Sequence, residues 1–404
     1  MKFAEYRIDS RIKSNLDKLG WKKPTDIQYK SIPPILQRQD VLAIAQTGTG
    51  KTAAFAIPAI HRLLNRKSAG LGCLVMVPTR ELAKQIADVF KELSNGTNLN
   101  ILAIHGGVEQ ESQIKQLTKG VDVLVTTPGR MFDLNHQGYI NFDRIETLIL
   151  DEADHMLDLG FIKDIRDVNR LLPQKKQVLF FSATIDDKIK KLAYSIVQNP
   201  LRIQISPKDP IGRNIEHSVL HVSMDDKRFF LERVFRENPE SKIIVFTRTQ
   251  VRAERVVKAM HRVELEAECI HSGVEQSVRE KELADFRSGA LKHLISTDVS
   301  ARGIDIDGID LVINYDLPEQ PDQYVHRVGR TGRSGKKGVA ISFCSPEETE
   351  LLQRIEHYIN RPILMLDLGS DFYEETKDFS KAAEADWRSL LDEEESRPKK
   401  GKSK

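Results

Sequence analysis

A short apolar run that ends in a glycine-rich loop and a lysine is the strongest constraint this chain carries. Val41 to Thr52 reads VLAIAQTGTGKT. Val41 to Ala45 has the composition of a buried strand, Gly48 and Gly50 let the backbone turn tightly, and Lys51 and Thr52 open a helix. Strand, glycine loop and helix in that order make a phosphate cradle. Backbone N–H groups and the helix N-terminus face the anion, Lys51 reaches the β- and γ-phosphates, and the Thr52 hydroxyl sits on Mg²⁺. Gln46, Thr47 and Thr49 complete the loop. The strict pattern begins with Gly, and Ala45 takes that place here.

A second stretch answers the first. Thr147 to Asp154, TLILDEAD, is another apolar run, and it ends in acids. Asp151 is expected to hold Mg²⁺ through water, and Glu152 to orient or deprotonate the attacking water. A solvated acidic turn is the plainer alternative; the phosphate loop upstream weighs against it.

Bulk properties exclude several classes. The 404 residues suggest two or three domains. A net charge of +2 gives no overall basic field, so any nucleic-acid surface must be local. Cys73, Cys269 and Cys344 are far apart, and Cys73 and Cys344 lie in apolar runs, which reads as core thiols rather than metal ligands or disulfides. The first twenty residues carry charge throughout, so no secretory signal is expected, and no apolar run is long enough to span a bilayer. The expected setting is a reducing cytoplasm, with no membrane and a monomeric chain.

Along the chain, Asp9 to Gly20 reads as an amphipathic helix that Gly20 stops. Strands are expected at Cys73 to Val77, Ile101 to His105, Val121 to Thr126 and Val178 to Ser182, with a helix at Glu81 to Leu93. Thr184 is a candidate helix cap, with Asp187 three residues on. Ser206 to Asn214, with two prolines and a glycine, reads as a linker. Beyond it, Ile243 to Phe246, His293 to Thr297, Leu311 to Asn314 and Val339 to Phe343 read as strands, and Val251 to Met260 as a helix. This alternation is that of an α/β chain with parallel sheets covered by helices. No sequence repeat is read between the halves. The domains expected are 1–207, a linker at 208–214, 215–360, and a charged, disordered tail at 361–404. That tail is acidic at Asp392 to Glu395 and basic at Lys399 to Lys404.

The loop AQTGTGKT and the tetrapeptide Asp151-Glu152-Ala153-Asp154 together resemble the DEAD-box RNA helicases. The resemblance continues in order through PTRELA (Pro78 to Ala83), Gly106–Gly107, TPGR (Thr127 to Arg130) and SAT (Ser182 to Thr184). In the second half it runs through VFTRT (Val245 to Thr249), Gln276 with Arg279, TDVSARGID (Thr297 to Asp305) and HRVGRTGR (His326 to Arg333). It covers about residues 1 to 360, and the compact core resembles the bacterial RhlE-like group. It implies two tandem RecA-like domains, ATP and Mg²⁺ as cofactors, RNA as partner, and RNA-stimulated ATP hydrolysis that drives the domains closed and separates short duplexes. Proteins of ribosome assembly or RNA decay are further expected partners.

The resemblance also implies residue roles. Gln28 would read adenine, and its amide, with one donor and one acceptor side, suits the N6/N7 edge; a helix cap is the alternative. The family places an aromatic seventeen residues before the glycine of that motif, and counting back from Gly20 gives Phe3 as an adenine stacker, or else a small-core residue. Pro78, Thr79, Arg80, Gly106, Gly107, Thr127, Pro128, Gly129 and Arg130 would hold one RNA strand. Thr247, Arg248, Gly273, Gln276, Arg279, Thr297 and Asp298 would do so in the second half. No aromatic ladder accompanies them, so contacts to the backbone and 2′-OH are expected rather than base stacking. Arg327 and Arg330 would reach the γ-phosphate, and Asp305 the ribose or those arginines. Asp154, Ser182, Thr184 and His326 would couple the ATP and RNA sites.

Overall fold

The computed structural model describes residues 2–46, 48–66, 69–205, 211–212, 214–298, 308–332, 337–367, 369 and 371–377. The chain divides into two compact units, 1–208 and 209–404. The first unit holds strands β1 (Val41–Ile44), β2 (Cys73–Met76), β3 (Ile101–Ile104), β4 (Val123–Thr126), β5 (Thr147–Leu150), β6 (Gln177–Ser182) and β7 (Leu201–Gln204). They form one seven-stranded sheet in the order β3-β4-β2-β5-β6-β1-β7, with every pairing parallel. Strands such as VLAI and TLIL are buried at every position because helices cover both faces of a parallel sheet. Successive residues of β1 serve opposite cores: Val41 and Ala43 pack on one side, Leu42 and Ile44 on the other.

The second unit holds β8 (Ile215–His221), β9 (Ile243–Thr247), β10 (Glu268–Ile270), β11 (His293–Thr297), β12 (Leu311–Asn314), β13 (Gly338–Cys344) and β14 (Leu364–Met365). Its order, β10-β11-β9-β12-β13-β8-β14, repeats that of the first unit position for position, again wholly parallel. The two tandem parallel-sheet domains are therefore as expected. Contrary to the sequence reading, there is also a local repeat. Ile104 to Gln110 reads IHGGVEQ and Ile270 to Gln276 reads IHSGVEQ, alike at six of seven positions. Each copy leaves the edge strand of its sheet and enters a helix, Gln110–Leu117 or Gln276–Ser288, with a glutamate, Glu109 or Glu275, at the N-cap.

Two local expectations are corrected. The helix after SAT is Asp187–Ile196, and its cap is Asp186, whose carboxylate accepts from the Ile189 N–H; Thr184 is engaged elsewhere. The tail expected from residue 361 is docked on the second unit as far as residue 377. There β14 pairs with β8, and a helix follows at 371–377.

Candidate nucleotide site and nucleic-acid interface

In a parallel sheet all strands end on the same edge, and ligands collect there. In the first unit the adjacent strands β5, β6 and β1 end in the acidic stretch, SAT and the phosphate loop. The adjacent β3, β4 and β2 end in Gly106–Gly107, Thr127 and Pro78–Thr79. One half of the sheet edge thus gathers the residues expected to bind nucleotide and the other half those expected to bind nucleic acid.

Gly50 ends the phosphate loop as N-cap of the helix Lys51–Leu64, with φ +91° in the left-handed region. Lys51 is 6% exposed. Its Nζ has no hydrogen-bond partner among the described residues. A buried ammonium aimed into a loop of backbone N–H groups lacks only an anion. Thr52 sits beside it at the second helical position, and Asp151 lies at the end of β5, so hard oxygen donors suited to Mg²⁺ are present. The Thr49 hydroxyl donates to the Gln46 carbonyl (2.7 Å), and the Thr49 carbonyl accepts from the Thr25 hydroxyl (2.7 Å). Thr47 lies outside the described residues; Gly48 is exposed at φ +78°.

Gln28 is buried and closes a capping box on the helix Asp26–Leu36. Its Oε1 accepts from the Thr25 N–H (2.9 Å) and its Nε2 donates to the Gly50 carbonyl (3.1 Å). Both ends of the amide are therefore used, as in the helix-cap alternative, and one of them fastens the phosphate loop. Phe3 is 3% exposed and packs in the core beside Tyr6. That is the small-core alternative: the ring offers no open face for adenine.

Asp151 is fully buried and accepts from the Glu152 N–H (3.0 Å). Burial pushes its carboxyl up to about 6, against the pull of Lys51. Glu152 has φ +50° and ψ 49°, a conformation that is uncommon outside glycine and that collects at functional sites. Its Oε2 lies 3.4 Å from His155 Nδ1. Asp154 turns the other way. Its Oδ2 accepts from the Ala183 and Thr184 N–H groups and from the Thr184 hydroxyl, at 2.9–3.1 Å. Ser182 is wholly buried. Its Oγ lacks a partner among the described residues. Asp154, Ala183 and Thr184 thus form one joint between the segments that follow β5 and β6.

On the nucleic-acid half, Thr79 caps the helix Arg80–Leu93 through its hydroxyl, after a buried Pro78. Thr127 stands at the N-cap of the helix Pro128–His136 without a side-chain bond to it. Gly129 is exposed. The Arg80 guanidinium packs against the glycine pair: a Cβ on Gly107 (φ +77°) would collide with Arg80 Nη1. Arg130 donates to Gln113 Oε1 (3.1 Å) and the Val108 carbonyl (3.2 Å), and Gln113 donates to the His105 carbonyl (3.0 Å). Gln113, which the sequence reading passed over, thereby ties TPGR to the glycine pair. Gly107→Ala should swing Arg80 out of place. RNA affinity should then fall and the salt slope of single-strand binding flatten by about 0.7 for one lost phosphate contact, with ATP affinity unchanged. A titration of labelled RNA at several salt concentrations checks this.

The second unit repeats the layout. Thr249 caps the helix Gln250–Arg262 through its hydroxyl, as Thr79 does after β2. A Cβ on Gly273 would stand 3.1 Å from Gln250 Oε1, so Gln250, also missed from the sequence, holds Arg80's place. Thr247 is fully buried and its hydroxyl donates to the Thr249 carbonyl (3.3 Å), so it shapes the loop rather than presenting a side chain. Gln276 donates to Glu280 (3.0 Å), and Arg279 and Thr297 are both buried. Asp305 and Arg333 lie outside the described residues.

Arg327 corrects a sequence expectation. It is 2% exposed. Its Nε and Nη2 bind both oxygens of Asp298 (2.6 and 2.7 Å), its Nη1 donates to the Asp316 carbonyl (2.6 Å) and Asn314 (3.2 Å), and its face lies over Phe246. Every nitrogen is committed inside the second unit, and abandoning a buried bidentate pair is costly. Arg327 therefore anchors Asp298 rather than reaching for a phosphate, and Asp298 is correspondingly turned inward. Arg330, three residues on and just past the end of the helix Pro321–Val328, is also buried, and its Nε donates to the His326 carbonyl at 3.3 Å.

The site and the paired sheets define a two-domain helicase of the ATP-dependent kind. The family described as DEAD/DEAH box helicase matches residues 25–192, and the helicase conserved C-terminal domain matches 226–335. The chain is 39% identical over 355 residues to the ATP-dependent RNA helicase CshA of Listeria monocytogenes, covering 88% of this chain and 68% of that protein. It is 41% identical over 382 residues to the ATP-dependent RNA helicase RhlB of Shewanella sediminis, covering 92% and 87%. A solved structure of S. cerevisiae Dbp5 bound to RNA and ADP BeF3 superposes with a TM-score of 0.82 at 31% identity, over 94% of this chain and 99% of that one. The chain belongs to the DEAD-box ATP-dependent RNA helicase family. No helix among the described residues is long and apolar enough to cross a membrane.

Proposed function

We propose that the chain grips RNA without regard to sequence and separates short duplexes, using ATP as a switch between open and closed arrangements of its two units. The observation that carries this reading is the layout of the first sheet edge. The acidic residues, SAT and the phosphate loop end the neighbouring strands β5, β6 and β1, the RNA candidates end the neighbouring β3, β4 and β2, and β5 with its DEAD sequence borders β2. In this reading Lys51 and the loop amides hold the triphosphate, while Glu152 orients the attacking water and takes its proton. Thr52 and Asp151 would hold Mg²⁺, which supplies charge neutralisation at the phosphates. Placing a cation beside Asp151 also relieves the burial that pushes its carboxyl up. Asp154, through Ala183 and Thr184, carries a change at the ATP site towards the RNA half.

Arg80, the helix N-termini at Arg80–Leu93 and Pro128–His136, and Arg248 contact phosphates and 2′-hydroxyls, which carry no base information. Arg330 supplies the arginine that completes the site on closure, with His326 beside it. Three unpaired cysteines, two of them buried, suit a reducing cytoplasm. The RhlE-like placement is part of this proposal, supported by a core that takes up most of the chain. The test is release of a labelled strand from a short RNA duplex. Release should require ATP and stop with a non-hydrolysable analogue after one event; equal release without nucleotide would contradict the switch.

A further inference from the structure

Buried charge in the second unit is concentrated behind one RNA candidate. Lys227 is wholly buried, at the first position of the helix Lys227–Glu237. Its Nζ donates to Glu348 Oε2 (2.5 Å) and the Tyr315 carbonyl (2.7 Å) and lies 3.8 Å from Asp316. Glu348 in turn accepts from Arg248 Nη2 (2.7 Å) through its other oxygen, and Asp316 accepts from the Arg248 N–H (3.0 Å) and from Arg252 (2.6 Å). Both the backbone and the guanidinium of Arg248 are thus fixed from behind. Lys227, Arg248 and Arg252 face the carboxylates of Glu348 and Asp316, and the two arginines are partly exposed, 35% and 37% accessible. A fixed, partly exposed guanidinium suits a phosphate.

The helix that carries Lys227 is itself held by the chain beyond residue 361. Tyr373 accepts from the Ser223 N–H (3.1 Å) and donates to Asp226, the N-cap of that helix (2.9 Å). The Tyr373 ring lies 4.9 Å from that of Phe230. Arg233 on the same helix stacks over Phe372 (3.6 Å) and donates to the buried Thr376 (2.8 Å). We infer that residues 364–367 and 371–377 and the Lys227–Glu348–Asp316 cluster form a brace that positions Arg248 for contact with the RNA backbone. The inference rests on the reading of Arg248 as an RNA contact. A buried ionic cluster is weak evidence of stability by itself and stronger evidence of specified geometry where it fixes one side chain from several directions.

The test uses the full chain and single-stranded oligouridine, reading ATPase rate against RNA concentration, with ATP affinity measured in parallel. Tyr373→Phe removes only the hydroxyl; Glu348→Gln removes the charge. Glu348→Gln should raise the RNA concentration for half-maximal stimulation about tenfold, the size of one charge-assisted hydrogen bond, and Tyr373→Phe less. Saturated kcat and ATP affinity should stay put. On an Arg248→Ala background neither change should add to the loss, because all act through that guanidinium. The brace is wrong if Arg248→Ala weakens RNA stimulation while Tyr373→Phe and Glu348→Gln do not, or if their effects add in full to that of Arg248→Ala. If Arg248→Ala changes nothing, the RNA reading of that residue fails, and the inference fails with it.

Discussion

Arg330→Ala is expected to bind ATP like the wild type and to lose RNA-stimulated turnover by about 10³-fold or more, the range that arginine fingers supply in phosphoryl transfer. Lys51, Thr52 and Asp151 all belong to the first unit, so ground-state binding does not need the second. The motif offers two arginines for the finger, and the structure separates them. Arg327 has every nitrogen committed to Asp298, Asp316 and Asn314. Arg327→Ala should therefore act differently, loosening the second unit's own fold by leaving the Asp298 carboxylate without its partner. Steady-state ATPase with RNA, nucleotide affinity and a thermal melt distinguish the two variants. Low turnover with normal melting is expected of Arg330→Ala, and lowered melting of Arg327→Ala.

Glu152→Gln should stop hydrolysis, by roughly 10²–10⁴-fold, while ATP and RNA still bind, because the amide keeps the shape but cannot accept the proton. The left-handed backbone at Glu152 is independent of which of the two side chains it carries, so the geometry of the turn should persist. With hydrolysis blocked, the closed arrangement cannot reset. The variant should then hold RNA longer in ATP than the wild type does, read as a slower dissociation rate of labelled RNA. Turnover near the wild-type rate would remove Glu152 from the chemistry.

Much of this was legible in the sequence, and the parts that were not have physical reasons. The central strands announce themselves because burial on both faces gives them apolar centres: Leu294–Ile295 in His293–Thr297 and Leu311–Ile313 in Leu311–Asn314, whose limits match those expected to the residue. The strands that escaped notice lie toward the sheet margins. β7 reads LRIQ and is exposed at three of its four positions, β14 has two exposed residues, and β8 carries Glu216 and His217 beside that margin. Solvent on one side erases the apolar run that marks a buried strand. The order of motifs led to the nucleotide residues, since phosphate loops need a fixed local pattern. It could not show what holds each side chain. Arg327 and Arg330 look equivalent in HRVGR, and the bidentate contact that ties Arg327 to Asp298 leaves no mark in that pattern. Phe3 lies where an adenine stacker is counted, yet its ring belongs to the core. Gln113, Gln250, Lys227 and Glu348 make their contacts across long sequence separations, which no local pattern records.

The central claim is that RNA, by favouring closure, turns on an ATPase whose parts are split between two units. The direct measurement is the ATP hydrolysis rate of the full chain with saturating single-stranded RNA, with DNA of the same sequence, and with neither. Contacts to phosphate and 2′-OH predict strong stimulation by RNA of any sequence and little by DNA. Equal stimulation by DNA, or a rate indifferent to nucleic acid, would contradict it.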